Sequence, residues 1–373
     1  MSSPATDADA DADAAPAPAS SSAALRLLGI DGQTSMQQVL ERDVLDELGA
    51  TREANARLDA YLRLLEIFRL EDTPASVELL SRHARAVLRE IHEDLRHATL
   101  PDVRHVALQA LSYLLHQPTL AASLLESDVE RVLSAVISLQ ASTQAEETYK
   151  LCLWSLAHQQ LELPRHHAVV PQVVETLVLA IANPFKSRAV ERKALEGLHQ
   201  LVLRSKELMV LAPPTLQIWF RPVVSRLTSS DRATREQVVL LLSEATDRAV
   251  VAQWPAQCVG ETMDVLREYA LPAMQAHMTH ERNAEALSVW RIVLVLMRPA
   301  LAADVALLNE LLYVPEISMR HADPSVRLLS MEAWHHLVDV FRQNAEWFFK
   351  KTMVALLLEG GAAGCGARLQ CVL

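Results

Sequence analysis

The sequence predicts an all-α chain, a right-handed α-solenoid built from about six stacked helix pairs. Three observations predict it. Half of the 373 residues are hydrophobic, yet only 5% are aromatic and 9 are Gly, and strand-like alternation is almost absent. Apolar residues recur instead at helical spacing, as in Val326, Leu329, Ala333, Leu337 and Val340. Finally, that unit has near-copies along the chain.

Residues 1–24 are a low-complexity run, SSPATDADADADAAPAPASSSAA after the start Met, that cannot bury a core and is expected to be disordered. Residues 25–56 are poorly defined, with one helix expected around Met36–Leu48. Order is expected from Arg57–Leu70, where Leu58, Tyr61, Leu62, Leu65 and Phe68 mark an amphipathic helix. Thr73-Pro74 interrupts it, and Ser76–His97 reads as a long second helix.

The repeat follows. The start Val326-Arg327-x-x-Ser330-Met331-x-Ala333-Trp334 is preceded by Asp323-Pro324, an N-cap and a first-turn proline. It aligns with Val103-Arg104, Thr148-Tyr149-Lys150, Val190-Glu191, Thr234-Arg235 and, more loosely, Arg282. The starts at 103, 148, 190, 234, 282 and 326 stand 45, 42, 44, 48 and 44 residues apart. That is the period of HEAT and armadillo repeats, about 40–47 residues. Small residues recur in the fifth column (Ala107, Cys152, Ala194, Ala286, Ser330), where the paired helix must approach closely. The partner helices are predicted over Ser76–His97, Asp128–Gln140, His167–Ala182, Pro214–Thr228, Gly260–His277 and Ala302–Arg320. One pair cannot bury its apolar face; a stack can. The repeat domain is therefore expected over 57–358, closing with a helix at Ala345–Leu358. Residues 359–373, EGGAAGCGARLQCVL, change character and read as an irregular, non-native end of a fragment.

The function classes narrow accordingly. Net charge is −11, which argues against strong non-specific DNA binding through bulk charge and leaves room for a local basic stripe. No apolar run reaches the roughly 18–20 residues of a membrane span, so no membrane partner is expected. The N-terminus lacks the order of a secretion signal, and Cys371 sits one place too late for a prenylation box. The four Cys form no C-x-x-C and read as reduced thiols. His92-Glu93-Asp94-Leu95-Arg96-His97 misses the H-E-x-x-H zinc spacing by one residue, and His166-His167 and His335-His336 are adjacent pairs pointing different ways. No nucleophile elbow, Walker loop or dinucleotide fingerprint occurs, so no enzyme and no cofactor are expected.

The basic residues carry more. Arg104, Lys150, Arg192, Lys193, Arg235, Arg282 and Arg327 recur near the start of each second helix. Stacking brings them into a row with roughly 10 Å between layers. One reading is structural, through the i,i+4 pairs Glu146–Lys150, Asp231–Arg235 and Asp323–Arg327. The other is a groove for a phosphorylated peptide or a nucleic-acid backbone, since Arg grips phosphate with two parallel hydrogen bonds.

The chain also resembles the N-terminal helical-repeat domain of the Rap-interacting factor one family, regulators of telomere length and replication timing. The resemblance rests on Leu58-Asp59-Ala60-Tyr61-Leu62, Val106-Ala107-Leu108-Gln109-Ala110-Leu111 with Pro118 following, Leu153-Trp154-Ser155-Leu156, Glu191-Arg192-Lys193-Ala194, Trp219-Phe220-Arg221-Pro222, Leu287-Ser288-Val289-Trp290 and Glu332-Ala333-Trp334-His335-His336. It covers about 57–342. It implies a non-catalytic scaffold in the nucleus, at chromosomes and telomeres, acting in telomere maintenance, replication timing and the double-strand-break response. The partners it implies are chromatin and telomeric DNA, a phosphorylated DNA-damage adaptor and protein phosphatase one. The phosphatase-docking pattern, basic-x-Val/Ile-x-Phe/Trp, is not found; Arg291-Ile292-Val293-Leu294 lacks the aromatic. Family members are far longer than this chain, in keeping with a fragment. The competing reading is a cytoplasmic α-solenoid adaptor, for transport or as a phosphatase scaffold; a helical enzyme using His and Glu is a third.

Overall fold

A computed structural model describes residues 36–51, 53–69, 74–97, 100–162, 168–247, 253–301 and 305–342. The expectations for 1–24, for 25–35, for His166-His167, for the helix at 345–358 and for 359–373 lie outside those residues. No strand occurs among the described residues, and the helices stack as an all-α solenoid does. The chain divides into two compact units, Met1–Val132 and Leu133–Leu373.

In the first unit, helix α1 (36–50) runs through a π-helical stretch, Val39–Asp46. Helices α2 (Ala54–Arg69), α3 (Pro74–His97), α4 (Pro101–His116) and the short α5 (Pro118–Ala122) follow, with the first part of α6 (Glu126–Ser142). Helix α4 packs on both α2 and α3, and Phe68 of α2 stacks on Tyr113 of α4 at 4.2 Å between ring centres. Helix α2 buries a different face from the one its apolar spacing suggests. Arg57, Ala60, Tyr61, Leu64, Ile67 and Phe68 are inside, whereas Leu62 is exposed. The cause is polar. The Arg57 guanidinium is buried and grips Asp94 of α3, with Nε 2.8 and 2.9 Å from the two carboxylate oxygens. It also donates to the Leu48 and Thr51 carbonyls at the end of α1. The Tyr61 hydroxyl donates to Asp94 at 2.6 Å.

The second unit holds the remainder of α6 and then α7 (Glu146–His158), α8 (Val170–Ile181), α9 (Arg188–Arg204), α10 (Pro213–Ser225), α11 (Arg232–Ala245), α12 (259–279), α13 (Asn283–Leu301), α14 (Val305–Ser318) and α15 (Pro324–Arg342). Helices α7, α9, α11, α13 and α15 pack successively side by side, as second helices of a repeat must. All six repeat starts, the one at 103 in α4 included, fall in or just before the first turn of a helix. The small-residue column is shut: Ala107, Cys152, Ala194, Ala286 and Ser330 are each 0% exposed, as is the larger Val238 at the same place in α11. Close approach also explains Gly197, where an added Cβ would sit 3.0 Å from Ala157 Cβ and 3.1 Å from Leu177 Cδ2. Two features escape a 3.6-residue pattern: π-helical stretches at Glu207–Leu211 and Leu266–Ala270.

Candidate phosphate and partner interface

An Asp at an N-cap has free backbone N–H groups within reach before any side chain four residues on. Asp231 accepts from Thr234 N at 2.9 Å and Thr234 Oγ1 at 2.8 Å. Those bonds, aided by Arg192 and Arg188, hold its carboxyl below the usual range. Asp323 likewise accepts from Ser325 N at 2.8 Å. The Arg at the next turn therefore finds other partners. Arg235 Nη1 donates to the Ser229 and Ser230 carbonyls at 2.9 and 3.1 Å. Arg327 Nη1 donates to the His321 and Ala322 carbonyls, both at 2.8 Å. Both arginines clamp the turn that precedes their own helix. Of the three expected i,i+4 pairs, Asp231–Arg235 and Asp323–Arg327 are replaced in this way. Glu146–Lys150 forms, at 3.0 Å, beside Glu147–Lys150 at 2.9 Å.

The basic row thus separates into three kinds of residue. Arg235 is 4% exposed, and its Nε donates to Glu285 of α13 at 2.8 Å, so it ties two layers together rather than facing a partner. Arg104 and Arg282 are half-buried, each with a buried Nε that has no hydrogen-bond partner among the described residues. Arg192 and Lys193 are exposed on α9, Lys193 lying 3.1 Å from Glu196. Lys150 is half-buried between its two glutamates. Glu146 also accepts from the Ser187 hydroxyl, at 2.7 Å, which joins α7 to the N-cap of α9.

The repeat column misses three exposed cations beside Arg192 and Lys193. Lys186 sits in the turn before α9 at φ 53°, Arg188 opens α9 3.7 Å from Asp231, and Arg232 opens α11 2.7 Å from Glu236. The signal was present in the local run Lys186-Ser187-Arg188-x-x-x-Arg192-Lys193, outside the column being compared. Together these residues give the N-terminal ends of α9 and α11 a mixed surface in which five cations meet Glu196, Asp231 and Glu236. Such a surface can hold phosphate oxygens by charge-assisted hydrogen bonds. No group of three His, Cys, Asp or Glu placed to hold a metal ion occurs among the described residues. His92 and His97 each lie near Glu93, at 3.7 and 3.9 Å. No described helix is long and apolar enough to cross a membrane.

Stacked helix pairs with polar, charged helix ends define a class, the helical-repeat binding scaffold. Within that class the chain belongs to the family described as Rap1-interacting factor 1 N terminal, whose model matches residues 49–360. It is similar to telomere-associated protein RIF1 of Gallus gallus, 22% identical over 263 residues, 69% of this chain and 11% of that protein. To the Mus musculus protein of the same name it is 19% identical over 304 residues, 78% of this chain and 12% of that one. The chain thus spans about an eighth or less of the length of these relatives. The crystal structure of an engineered protein shares the fold, with a TM-score of 0.55 and 15% identity over 87% of this chain and 75% of its own.

Proposed function

We propose that this chain is the N-terminal repeat portion of a non-catalytic scaffold of the nucleus, held at chromosomes and telomeres, that recognises phosphate-bearing partners through the ends of α9 and α11. Membership of the family carries the chromosomal part of this reading, because the matched relatives are named telomere-associated. The exposed segment around Arg188, Arg192, Lys193 and Arg232 carries the chemical part. In this reading the partners are chromatin and telomeric DNA and a phosphorylated DNA-damage adaptor, in the service of replication timing and double-strand-break repair. Protein phosphatase one, a partner implied by the resemblance, is not assigned to this surface, and no docking pattern for it is found in the sequence. Arg235 and Arg327 are set aside, being engaged with Glu285 and with turn carbonyls.

The test is titration of fluorescent duplex DNA and of a phosphoserine peptide at several salt concentrations. Charge reversal at Arg188, Arg192 and Lys193 is expected to weaken binding about tenfold at ~0.1 M salt and to reduce the salt slope by about 2–3, roughly one per lost phosphate contact. Unchanged affinity with an intact fold would remove this surface from the reading.

The adaptor reading keeps one observation in its favour. Met274, Met278, Tyr313, Val314 and Ile317 line an open groove between α12 and α14. Affinity capture dominated by cytoplasmic cargo and lost with Tyr313→Glu would favour it.

A further inference from the structure

The outer helices of the second unit pack in sequence, α8 on α10 and α10 on the first part of α12, residues 259–270. Between the last part of α12 and α14 this row opens into a groove of about 640 Å³. Two hydrogen bonds explain why α14 does not close it. Pro315 has no N–H, which frees the Leu311 carbonyl one turn earlier, and the Trp290 indole Nε1 of α13 donates to that carbonyl at 2.7 Å. The Pro315 carbonyl in turn accepts from Ser330 Oγ of α15. Both bonds hold α14 against the second helices and away from its neighbour in the outer row. Across the groove, Gln275 Nε2 of α12 donates to Glu310 Oε1 of α14 at 2.5 Å.

The groove is apolar inside and acidic around it. Met274 and Val314 are buried, Met278 and Ile317 half-buried, and Tyr313 is 57% exposed. An exposed aromatic beside soft Met side chains is a surface that adapts to an apolar guest. Charge narrows the guest. Glu310 is the charged residue lining the groove. Outer helices of successive layers run the same way, so α12 and α14 bring their C-terminal ends, at Thr279 and Ser318, to one end of it. Helix C-termini favour a cation, and Glu281 is exposed in the turn after α12. Arg320, just past α14, is matched by Glu316 at 3.2 Å. Backbone hydrogen bonds within α12 and α14 leave no strand edge for an extended peptide to pair with, whereas a helix satisfies its own backbone.

We propose that this groove docks a short helical segment of a partner protein, one with apolar side chains at i and i+4 and a Lys or Arg beside them that pairs with Glu310. In the adaptor reading the groove holds the cargo. The occupant inferred here stands on the chemistry of the groove and does not depend on the phosphate reading.

The probe is a display library of random unphosphorylated peptides, selected on the full chain. Selection is expected to enrich sequences with Leu, Met or Phe at i and i+4 and a neighbouring Lys or Arg. The affinity of an enriched peptide should fall about tenfold with Glu310→Lys and with Tyr313→Glu. Replacing the peptide's Lys or Arg by Glu should weaken binding to the unsubstituted chain and restore it to the Glu310→Lys chain. Both substitutions are at exposed positions, and an unchanged thermal melt verifies the fold. Charge reversal at Arg188, Arg192 and Lys193, which tests the phosphate reading, should leave peptide binding within about twofold. Enrichment of acidic peptides, binding indifferent to both groove substitutions, or no enrichment at all overturns the proposal. So does a dimer of the unliganded chain that dissociates in either variant, since a second copy would then fill the groove.

Discussion

A buried guanidinium is tolerable only with its carboxylate in place, and Arg57 shows how sharply one such pair orders its surroundings. Asp94 takes both Arg57 and Tyr61, so Asp94→Ala leaves the buried guanidinium with Glu90 alone, 3.4 Å away, and is expected to cost about 3 kcal/mol. Leu62→Ala, on the exposed side of the same helix, should stay within about 0.5 kcal/mol. Urea denaturation of both variants measures the contrast; equal losses would mean that the apolar spacing of α2, not its polar anchor, sets its face. His277 is a second residue whose cost depends on neighbours. Burial lowers its imidazole to about 4; Glu285 opposes the shift, and Arg282, Arg235 and His280 add to it. The unfolded chain titrates near 6.5, so between those values it binds a proton that the folded chain refuses. Stability is therefore complete above about pH 6.5 and falls as pH drops toward 4, by up to about 3 kcal/mol. His277→Gln should flatten that part of the pH–stability curve, and an unaltered curve would assign the loss to other groups. Cys152, pushed by burial up to about 12, should resist thiol reagents at pH 8 until the chain unfolds.

Element by element, most of the fold was legible in the sequence because helix pairs are local objects. Asp323-Pro324 does start a helix, and the six starts and the small-residue column fall where a 44-residue period puts them. The π-helical stretches were not legible, since one extra residue per turn leaves an apolar pattern nearly unchanged over a single turn. Gly197 sits between these cases. Its column reads as ordinary core, yet the approach of α7 and α8 leaves no room for a side chain. Gly197→Val is expected to lower stability by about 1–3 kcal/mol through overpacking. Gly197→Ala should cost less, because about 1 kcal/mol of helix propensity offsets the clash. Thermal melts decide it: a clear gain for Ala would show that the neighbours relax freely.

At the scale of the whole molecule the division at Val132 has a spectroscopic consequence. All six Trp, from Trp154 onward, lie in the second unit. Trp fluorescence therefore follows that unit alone, while far-UV circular dichroism follows both. Two independently cooperative units predict urea transitions that differ between the two probes; coincident curves would indicate a single cooperative block.

By itself the sequence determined the helical class, the period and the helix starts, which follow from spacing along one chain, and its local motifs carried the family resemblance. It could not decide which basic residues face a partner. Arg192 and Arg235 stand one column apart in the repeat, yet one is exposed and the other is buried against Glu285, 50 residues away. The reason is physical: an arginine goes to the nearest unsatisfied acceptor. That acceptor is a turn carbonyl or a carboxylate of the next layer, and its position exists only once the layers have stacked.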